Sequence, residues 1–342
     1  MRLCWNRAAV QGKGMRMLRS LRVFLFWDPF LLLLLGVVAA ATLFPVRGAA
    51  AIWAANAANV AIALLFFMHG AKLSRAAIVQ GAGNWRLHVL TLASTYVLFP
   101  AVGLLLVALM RGWANPLLLS GLLFLTLLPS TVQASIAFTS IARGNVAAAV
   151  CSASLSNVLG IVFTPLLVAL LMAVQRGAQV SPWHSVRTIL LQLLVPFLAG
   201  HLLRPLIGGV IDRHKKLLQP VDRTSILLVV YSAFSAAVVE GIWNRVSATD
   251  LAELLAASAV MLALVMGAMV LAARAAGLPR EDAVVLLFAG SKKSLVSGVP
   301  MAGALFPAAQ VGIIVLPLMV FHQLQLFVCA AVAARLQRKA DT

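Results

Sequence analysis

The sequence has few of the residues on which most enzymes and secreted domains depend. Its 342 residues include three cysteines, two tyrosines and nine acidic residues. Three cysteines without metal-ligand spacing exclude a disulfide framework and a zinc site. No H-E-x-x-H motif, aspartate pair or serine triad is present. We therefore expect no enzymatic activity and no cofactor. A bound sodium ion is the one exception that stays possible.

Apolar residues, by contrast, are abundant and come in long blocks. The chain is 62% hydrophobic and 11% charged, a composition that no soluble globular domain has. Blocks of this length predict an all-α polytopic membrane protein in contact with the lipid bilayer. The net charge of +18 does not indicate nucleic-acid binding, because the basic residues are concentrated at the chain start and in alternate short connections.

Ten segments are long and apolar enough to cross a bilayer, which takes about 20 residues. They cover residues 29–44, 51–70, 87–110, 116–142, 145–174, 186–203, 224–241, 251–273, 283–306 and 308–334. With the N-terminus inside, 20 Lys and Arg fall on the cytoplasmic side and five on the outer side. This asymmetry predicts a multi-pass protein of the bacterial inner membrane with both termini cytoplasmic.

The ends of the chain leave two points open. A basic stretch before a leucine run also fits a cleaved signal peptide, although an uncleaved first span agrees better with the charge count. The first residues lack helical periodicity, so Met1, Met15 or Met17 is the natural start. We predict basic cytoplasmic tails at 1–28 and 335–342.

Ten spans divide into two halves of five, 29–174 and 186–334, joined by an outer loop at 175–185. An odd number of spans in each half means that the halves have opposite orientations. Inverted repeats of this kind are a recurrent transporter architecture, with the site near the midplane and built from interrupted helices at matching positions. The fourth and ninth spans match in this sense, because each contains a helix breaker, Pro129 or Gly290, beside a dense polar run.

The most unusual feature is the pair Lys292 and Lys293 in the middle of the ninth span, VVLLFAGSKKSLVSGVPMAGALF. A charge at mid-bilayer costs ~2.5–3.5 kcal/mol on insertion scales, so such residues usually face a functional cavity. The alternative is that the span is shifted and the two amines reach the headgroups. No Asp or Glu lies near the middle of any predicted span. The lysines must therefore bond to hydroxyls and carbonyls, lose a proton, or meet an anionic ligand, and a buried ammonium can also take the place of a bound cation.

Other polar residues in the spans are candidates for the same site or for helix-to-helix hydrogen bonds. The primary candidates, which lie beside the two breakers and could also hold sodium, are Ser130, Thr131, Gln133, Ser135 and Ser291. Ser294 and Ser297 follow the lysines. Secondary candidates are Ser152, Ser154, Ser156, Asn157, the cavity-lining candidates Asn56 and Asn59, and His322 as a proton relay. His69, Lys72 and Arg75 lie at a span end and are predicted to be interfacial anchors.

Four stretches resemble the bile acid:sodium symporter superfamily, in the subgroup like sodium/bile acid cotransporter 7. They are FFMHGAKL (66–73), NWRLH (84–88), LPSTVQASIAFTSIARGNVAAAVCSASLSN (128–157) and GSKKSLVSGVPMA (290–302). The resemblance implies ten helices in two inverted repeats, with a panel domain, a core domain, and interrupted fourth and ninth helices that cross in the core. It also implies transport of organic anions with sodium.

The same resemblance shows where this chain departs from the sodium-coupled members. Ser291 stands at the position of their ninth-helix glutamate, with Lys292 just after it. Ile136 replaces the asparagine of their fourth-helix Ser-Asn pair, and Ala149 and Ala153 replace hydroxyl ligands of their fifth helix. The two classical sodium sites therefore lack several of their usual ligands in this chain, and sodium coupling stays open.

These observations predict a secondary active transporter of a bile-acid-like or small carboxylate anion, coupled to sodium or protons, with Lys292 and Lys293 at the site. The alternative is a membrane regulator or scaffold that keeps the fold without transporting. The sequence does not indicate an oligomeric state.

Overall fold

The computed structural model describes residues 29–72, 84–172 and 182–341, and these residues form helices and connections without strands. The helices are α1 (Pro29–Leu43), α2 (Ala49–Lys72), α3 (Trp85–Met110), α4 (Pro116–Thr126), α5 (Gln133–Ile141), α6 (Val146–Met172), α7 (Pro182–Arg213), α8 (Lys215–Val239), α9 (Ala248–Ala275), α10 (Arg280–Gly290), α11 (Leu295–Leu305) and α12 (Ala308–Asp341). Two π-helical turns interrupt the regular geometry, at Ser94–Leu98 in α3 and Val168–Met172 in α6.

The helices have the length and composition of membrane spans. Within the described residues, eight helical stretches are long and apolar enough to cross a bilayer, counting 280–305 as one. Two shorter apolar helices, Leu32–Leu43 and Pro116–Thr126, accompany them. The prediction of an all-helical polytopic membrane protein is confirmed. The chain start, the candidate first methionines, Arg75 and residues 175–181 of the predicted loop lie outside the described residues.

Helix boundaries differ from the predicted ones where charged residues continue a helix past its apolar part. Residues 204–223, which connect two predicted spans, are mostly helical, because α7 runs to Arg213 and α8 starts at Lys215. The predicted loop at 175–185 likewise overlaps the start of α7 at Pro182, and the tail at 335–342 continues α12 to Asp341. Hydropathy detects the bilayer-crossing part of a helix, not the extension into water.

Two predicted spans contain non-helical segments at the polar runs. The α4–α5 break is residues 127–132, where Pro129 has no N–H to continue the helix. The α10–α11 break is residues 291–294, and it ends where the Ser294 side chain accepts a hydrogen bond from the Ser297 N–H and caps α11. The backbones of the two breaks meet, since the Ser294 N–H donates to the Pro129 carbonyl at 2.9 Å.

Helices α2 and α7 pack unusually closely through a reciprocal pair of glycines. A methyl group added at Gly70 would lie 1.9 Å from the carbonyl oxygen of Phe197, and one added at Gly200 would lie 2.0 Å from that of Phe67. Only glycine allows two helix backbones to approach so closely. This contact fixes α2 and α7 as a pair, and both helices contribute to the lining of a cavity.

Candidate functional site

Lys293 is completely buried, and its ammonium group is bound by backbone carbonyls. Nζ donates to the carbonyl oxygens of Thr95 (2.8 Å), Thr126 (2.7 Å) and Leu128 (2.7 Å). The face of the Phe99 ring lies 4.2 Å from the same nitrogen, which is a favourable position for a cation. Three donors therefore meet three acceptors, and the charge is held by dipoles rather than by a carboxylate.

These three carbonyls are available because the helices around them are irregular. In the π-helical turn of α3, the Phe99 N–H donates to Ser94, and the next residue, Pro100, has no N–H for the Thr95 carbonyl. Thr126 and Leu128 lie where α4 ends, and the last carbonyls of a helix lack partners within it. The end of α4 also carries the negative pole of the helix dipole, which stabilises a cation.

At the end of α10 the free carbonyls are satisfied by hydroxyl groups instead. Ser291 Oγ donates to the carbonyl oxygen of Leu287. The carbonyl oxygens of the next three residues accept hydrogen bonds from serine hydroxyls of other segments. Ser135 donates to Phe288 (3.2 Å), Ser130 to Ala289 (2.5 Å) and Ser94 to Gly290 (2.6 Å). Three serines predicted from the sequence, Ser130, Ser135 and Ser291, are thus brought together, and Ser94 was missed because a lone serine in an apolar span carries no signal.

Lys292 is also fully buried, but its amine has a different environment. Nζ donates to the Ala134 carbonyl at 3.1 Å and lies 4.1 Å from the Phe138 ring centroid and 4.9 Å from that of Phe288. Both lysines have zero exposure, so neither amine reaches the surface of the protein. The two side chains contact different segments, with Lys293 at the end of α4 and Lys292 against α5.

Gln325 of α12 fixes the backbone of Lys293 in the break. Its Oε1 accepts from the Lys293 N–H and its Nε2 donates to the Lys293 carbonyl, both at 2.9 Å. His322 is next to it, with Nδ1 2.8 Å from Gln325 Nε2. The sequence indicated His322 as a proton relay and did not predict the two hydrogen bonds between Gln325 and the Lys293 backbone. The one signal for them in the sequence was an amide side chain within an apolar helix.

A cavity of about 160 Å³, partly open to the outside, lies beside the two breaks. Helices α2, α6, α7 and α11 contribute most of the lining. Most of the lining is apolar, as is usual for ligand sites. The described lining residues are Leu65, Phe66, His69, Lys72, Val132, Ser154, Asn157, Val158, Ile161, Phe197, Ser297 and Met301.

Asn157 and Ser297 connect this cavity to the breaks. Ser297 Oγ donates to Asn157 Oδ1 at 2.7 Å, and Asn157 Nδ2 donates to the Ser130 carbonyl at 2.7 Å. Ser294 Oγ is 3.1 Å from Ser297 Oγ. A ligand that contacts Asn157 or Ser297 therefore contacts a hydrogen-bond chain that continues into the α4–α5 break.

The other predicted residues lie outside the cavity lining. Ser152 contacts His88 Nδ1 (2.8 Å) and Ser156 accepts from the Ser130 N–H (3.0 Å), so both stabilise helix packing. Thr131 is 3.4 Å from Ser135, hydroxyl to hydroxyl. The remaining three are Gln133, Asn56 and Asn59, which are exposed.

Asn56 and Asn59, the candidates for lining a cavity, are exposed and lie outside the lining described above. The buried face of α2 contains Ala58, Ile62 and Leu65 instead. His69 and Lys72, which were predicted to be interfacial anchors, line the cavity.

Apolar helices of spanning length, together with a part-polar cavity beside two helix interruptions, define the chain as a polytopic membrane protein with the architecture of a transporter. Residues 28–338 match the SBF-like CPA transporter family, and the chain belongs to this family. The predicted resemblance to bile acid:sodium symporters is confirmed. The family consists of transporters and is not a class of enzymes.

Several of the relatives that match the chain carry transporter names. "Putative symporter YfeH" of Escherichia coli (strain K12) is 51% identical over 321 residues, which is 94% of this chain and 96% of the relative. Sodium/bile acid cotransporter 7 of Danio rerio is 27% identical over 275 residues, which is 78% of this chain and 80% of the relative. The protein of the same name from Mus musculus is 26% identical over 271 residues, or 78% and 79% of the two chains.

Proposed function

We propose that the protein is a secondary active transporter of an organic anion in the bacterial inner membrane, and that the ammonium group of Lys293 takes the place of a coupling sodium ion. The observation that carries this proposal is the binding of Nζ by three backbone carbonyls at 2.7–2.8 Å. A cation at a helix interruption needs the same oxygen ligands. Here a covalently attached cation already occupies them.

The serines at the end of α10 support the same interpretation. Their hydroxyl groups donate to the carbonyls of residues 287–290. Those carbonyls are therefore satisfied without an ion. The sequence adds that Ser291 occupies the position of the family's sodium-binding glutamate, so the charge that would attract sodium is missing while a positive charge is added next to it.

Alternating access is the transport mechanism that we infer, with ten spans in two inverted repeats and both termini in the cytoplasm. In this scheme the two breaks cross within the core domain, and α2 and α7 belong to the panel domain. The hydrogen bond between Ser294 and Pro129 supports a rigid crossing. The cavity lined by α2, α6, α7 and α11 supports movement of one domain against the other.

The cavity supports an organic anion with an apolar body as substrate. Its apolar side chains suit a steroid or aliphatic carboxylate, and the few polar groups suit one charged end. The amines of Lys292 and Lys293 are engaged by carbonyls and rings, which supports a role in balancing charge rather than in direct contact with the substrate.

Uptake by proteoliposomes tests the proposal. Purified protein is reconstituted and offered labelled cholate, octanoate and a small dicarboxylate, each with sodium, with choline in place of sodium, and with a pH gradient. We expect uptake of at least one anion that does not change when choline replaces sodium. Uptake that requires sodium would contradict the role of Lys293. Absence of both uptake and anion-induced thermal stabilisation would instead favour the scaffold function.

A further inference from the structure

We propose that Lys72 is the residue that recognises the anionic group of the substrate, and that Asp222 is its exchangeable counter-ion. This inference rests on the proposed function and specifies which residue of the cavity contacts the charge. It assigns the contact to the end of α2, away from the two lysines of the α10–α11 break.

Lys72 is the one lysine or arginine among the described residues that line the cavity. The amines of Lys292 and Lys293 do not line it, and each donates to backbone carbonyls. The Lys72 side chain keeps 28% of its surface exposed. Its amine is therefore the positive charge that an anion inside the cavity can reach.

This amine is paired with Asp222 of α8. Lys72 Nζ donates to Asp222 Oδ2, and the aspartate side chain is 21% exposed. The second oxygen, Oδ1, is buried without a hydrogen-bond partner among the described atoms. A partly exposed ion pair contributes little to stability, so an incoming carboxylate or sulfonate can replace Asp222 at Lys72 at low cost.

The surroundings of Lys72 favour an anion over a neutral ligand. His69 lies one turn earlier on α2 and also lines the cavity, with Nδ1 2.8 Å from the Leu65 carbonyl. Arg204 of α7 donates to the carbonyl of Ala71, the residue before Lys72, at 2.8 Å. Lys72 is thus accompanied by polar or basic groups on α2 and α7, and Asp222 is the carboxylate that it binds.

The rest of the lining fits the apolar body of such a ligand. Phe66, Phe197, Ile161 and Met301 form apolar walls between the Lys72 end and the Asn157–Ser297 end. A ligand with a charged group at one end and a hydroxyl or apolar surface at the other would contact both ends of the cavity. We infer an amphipathic monoanion as the substrate class.

Four variants and one control test this inference with cholate and octanoate as probes. The variants are Lys72→Gln, Lys72→Arg, Asp222→Asn and the double variant Lys72→Gln/Asp222→Asn. Arg111→Gln removes an exposed charge in the α3–α4 connection and serves as the matched control. Binding is measured by calorimetry in detergent, and uptake is measured in proteoliposomes.

We expect Lys72→Gln to weaken binding of the probe by about 10- to 100-fold, the range for a lost hydrogen bond to a charged group. Lys72→Arg restores most of the affinity. Asp222→Asn tightens binding by about 2- to 5-fold, because the competing counter-ion is gone. The double variant binds as weakly as Lys72→Gln, and it folds without an unpaired carboxylate, so a folding defect in the single variant does not obscure the result.

Wild-type binding and uptake separate the two proposals. The first outcome is that the wild type transports a probe while Lys72→Gln and the double variant bind this probe as tightly as Arg111→Gln does. In that case the recognition role of Lys72 is overturned and the transport function stands. If Asp222→Asn weakens binding as much as Lys72→Gln does, Asp222 is a ligand of the substrate site and not a competitor. If the wild type binds neither probe, the substrate class is overturned.

Discussion

Replacing Lys293 by alanine removes the ammonium group and leaves an empty space beside three carbonyl oxygens. Each buried acceptor without a donor costs about 1–3 kcal/mol, or roughly 3–9 kcal/mol for the carbonyls of Thr95, Thr126 and Leu128 together. Relief of the desolvation cost of the ammonium, several kcal/mol, opposes this loss. We expect a net decrease in folding stability of about 2–5 kcal/mol.

The more specific expectation is that sodium stabilises Lys293→Ala and leaves the wild type unchanged. The vacated carbonyls lie at the negative end of α4 and suit a small monovalent cation. With a dissociation constant on the order of 10 mM, about 0.3 M sodium adds roughly 2 kcal/mol of stability. The assay is thermal unfolding in detergent with sodium, lithium or choline chloride at equal ionic strength.

Lys292→Ala is the matched control for this experiment. Its amine donates to the single carbonyl of Ala134 at 3.1 Å, so its removal leaves no cluster of oxygens for an ion. We expect no difference between sodium and choline in this variant. The reasoning is refuted if sodium stabilises the wild type as much as Lys293→Ala, or if no cation stabilises Lys293→Ala relative to choline.

Three further predictions follow from single contacts. Gln325→Leu removes both hydrogen bonds to the Lys293 backbone and should lower stability by about 2–4 kcal/mol, measured by thermal unfolding, whereas Gln323→Leu should change it little. Gly70→Ala places a methyl group 1.9 Å from the carbonyl oxygen of Phe197, so the variant should lose the monodisperse peak in size-exclusion chromatography. Gly36→Ala is the control, because its added methyl group has no neighbouring atom within 4 Å, and it should keep this peak. Asp282→Asn removes the carboxylate that binds the capping residues of α3 and α6 and should cost about 1–3 kcal/mol, read as a lower unfolding temperature.

The apolar blocks and the helix breakers in the sequence predicted most of the helices and the unusual segments. Pro129 and Gly290 lie at or beside the two non-helical segments, because a missing N–H or a missing side chain acts locally and is visible in one chain. The mid-span lysines were found for the same reason, since a charge in a long apolar block is conspicuous without any knowledge of its neighbours.

The partners of those lysines could not be predicted, because they depend on contacts between distant segments. The carbonyl of Thr95 is 198 residues from Lys293 in sequence, and backbone carbonyls carry no residue-specific signal. The position of Lys72 in the cavity lining was missed for a related reason, since hydropathy gives the depth of a residue and not the direction in which its side chain points.

The most direct test of the built-in cation is a flux measurement with radioactive sodium. Wild-type proteoliposomes are loaded with a transported anion at high concentration, and sodium accumulation is followed while the anion leaves or enters. The account predicts anion flux without accompanying sodium flux. Sodium movement in fixed proportion to the anion would contradict the claim that Lys293 occupies the place of the ion.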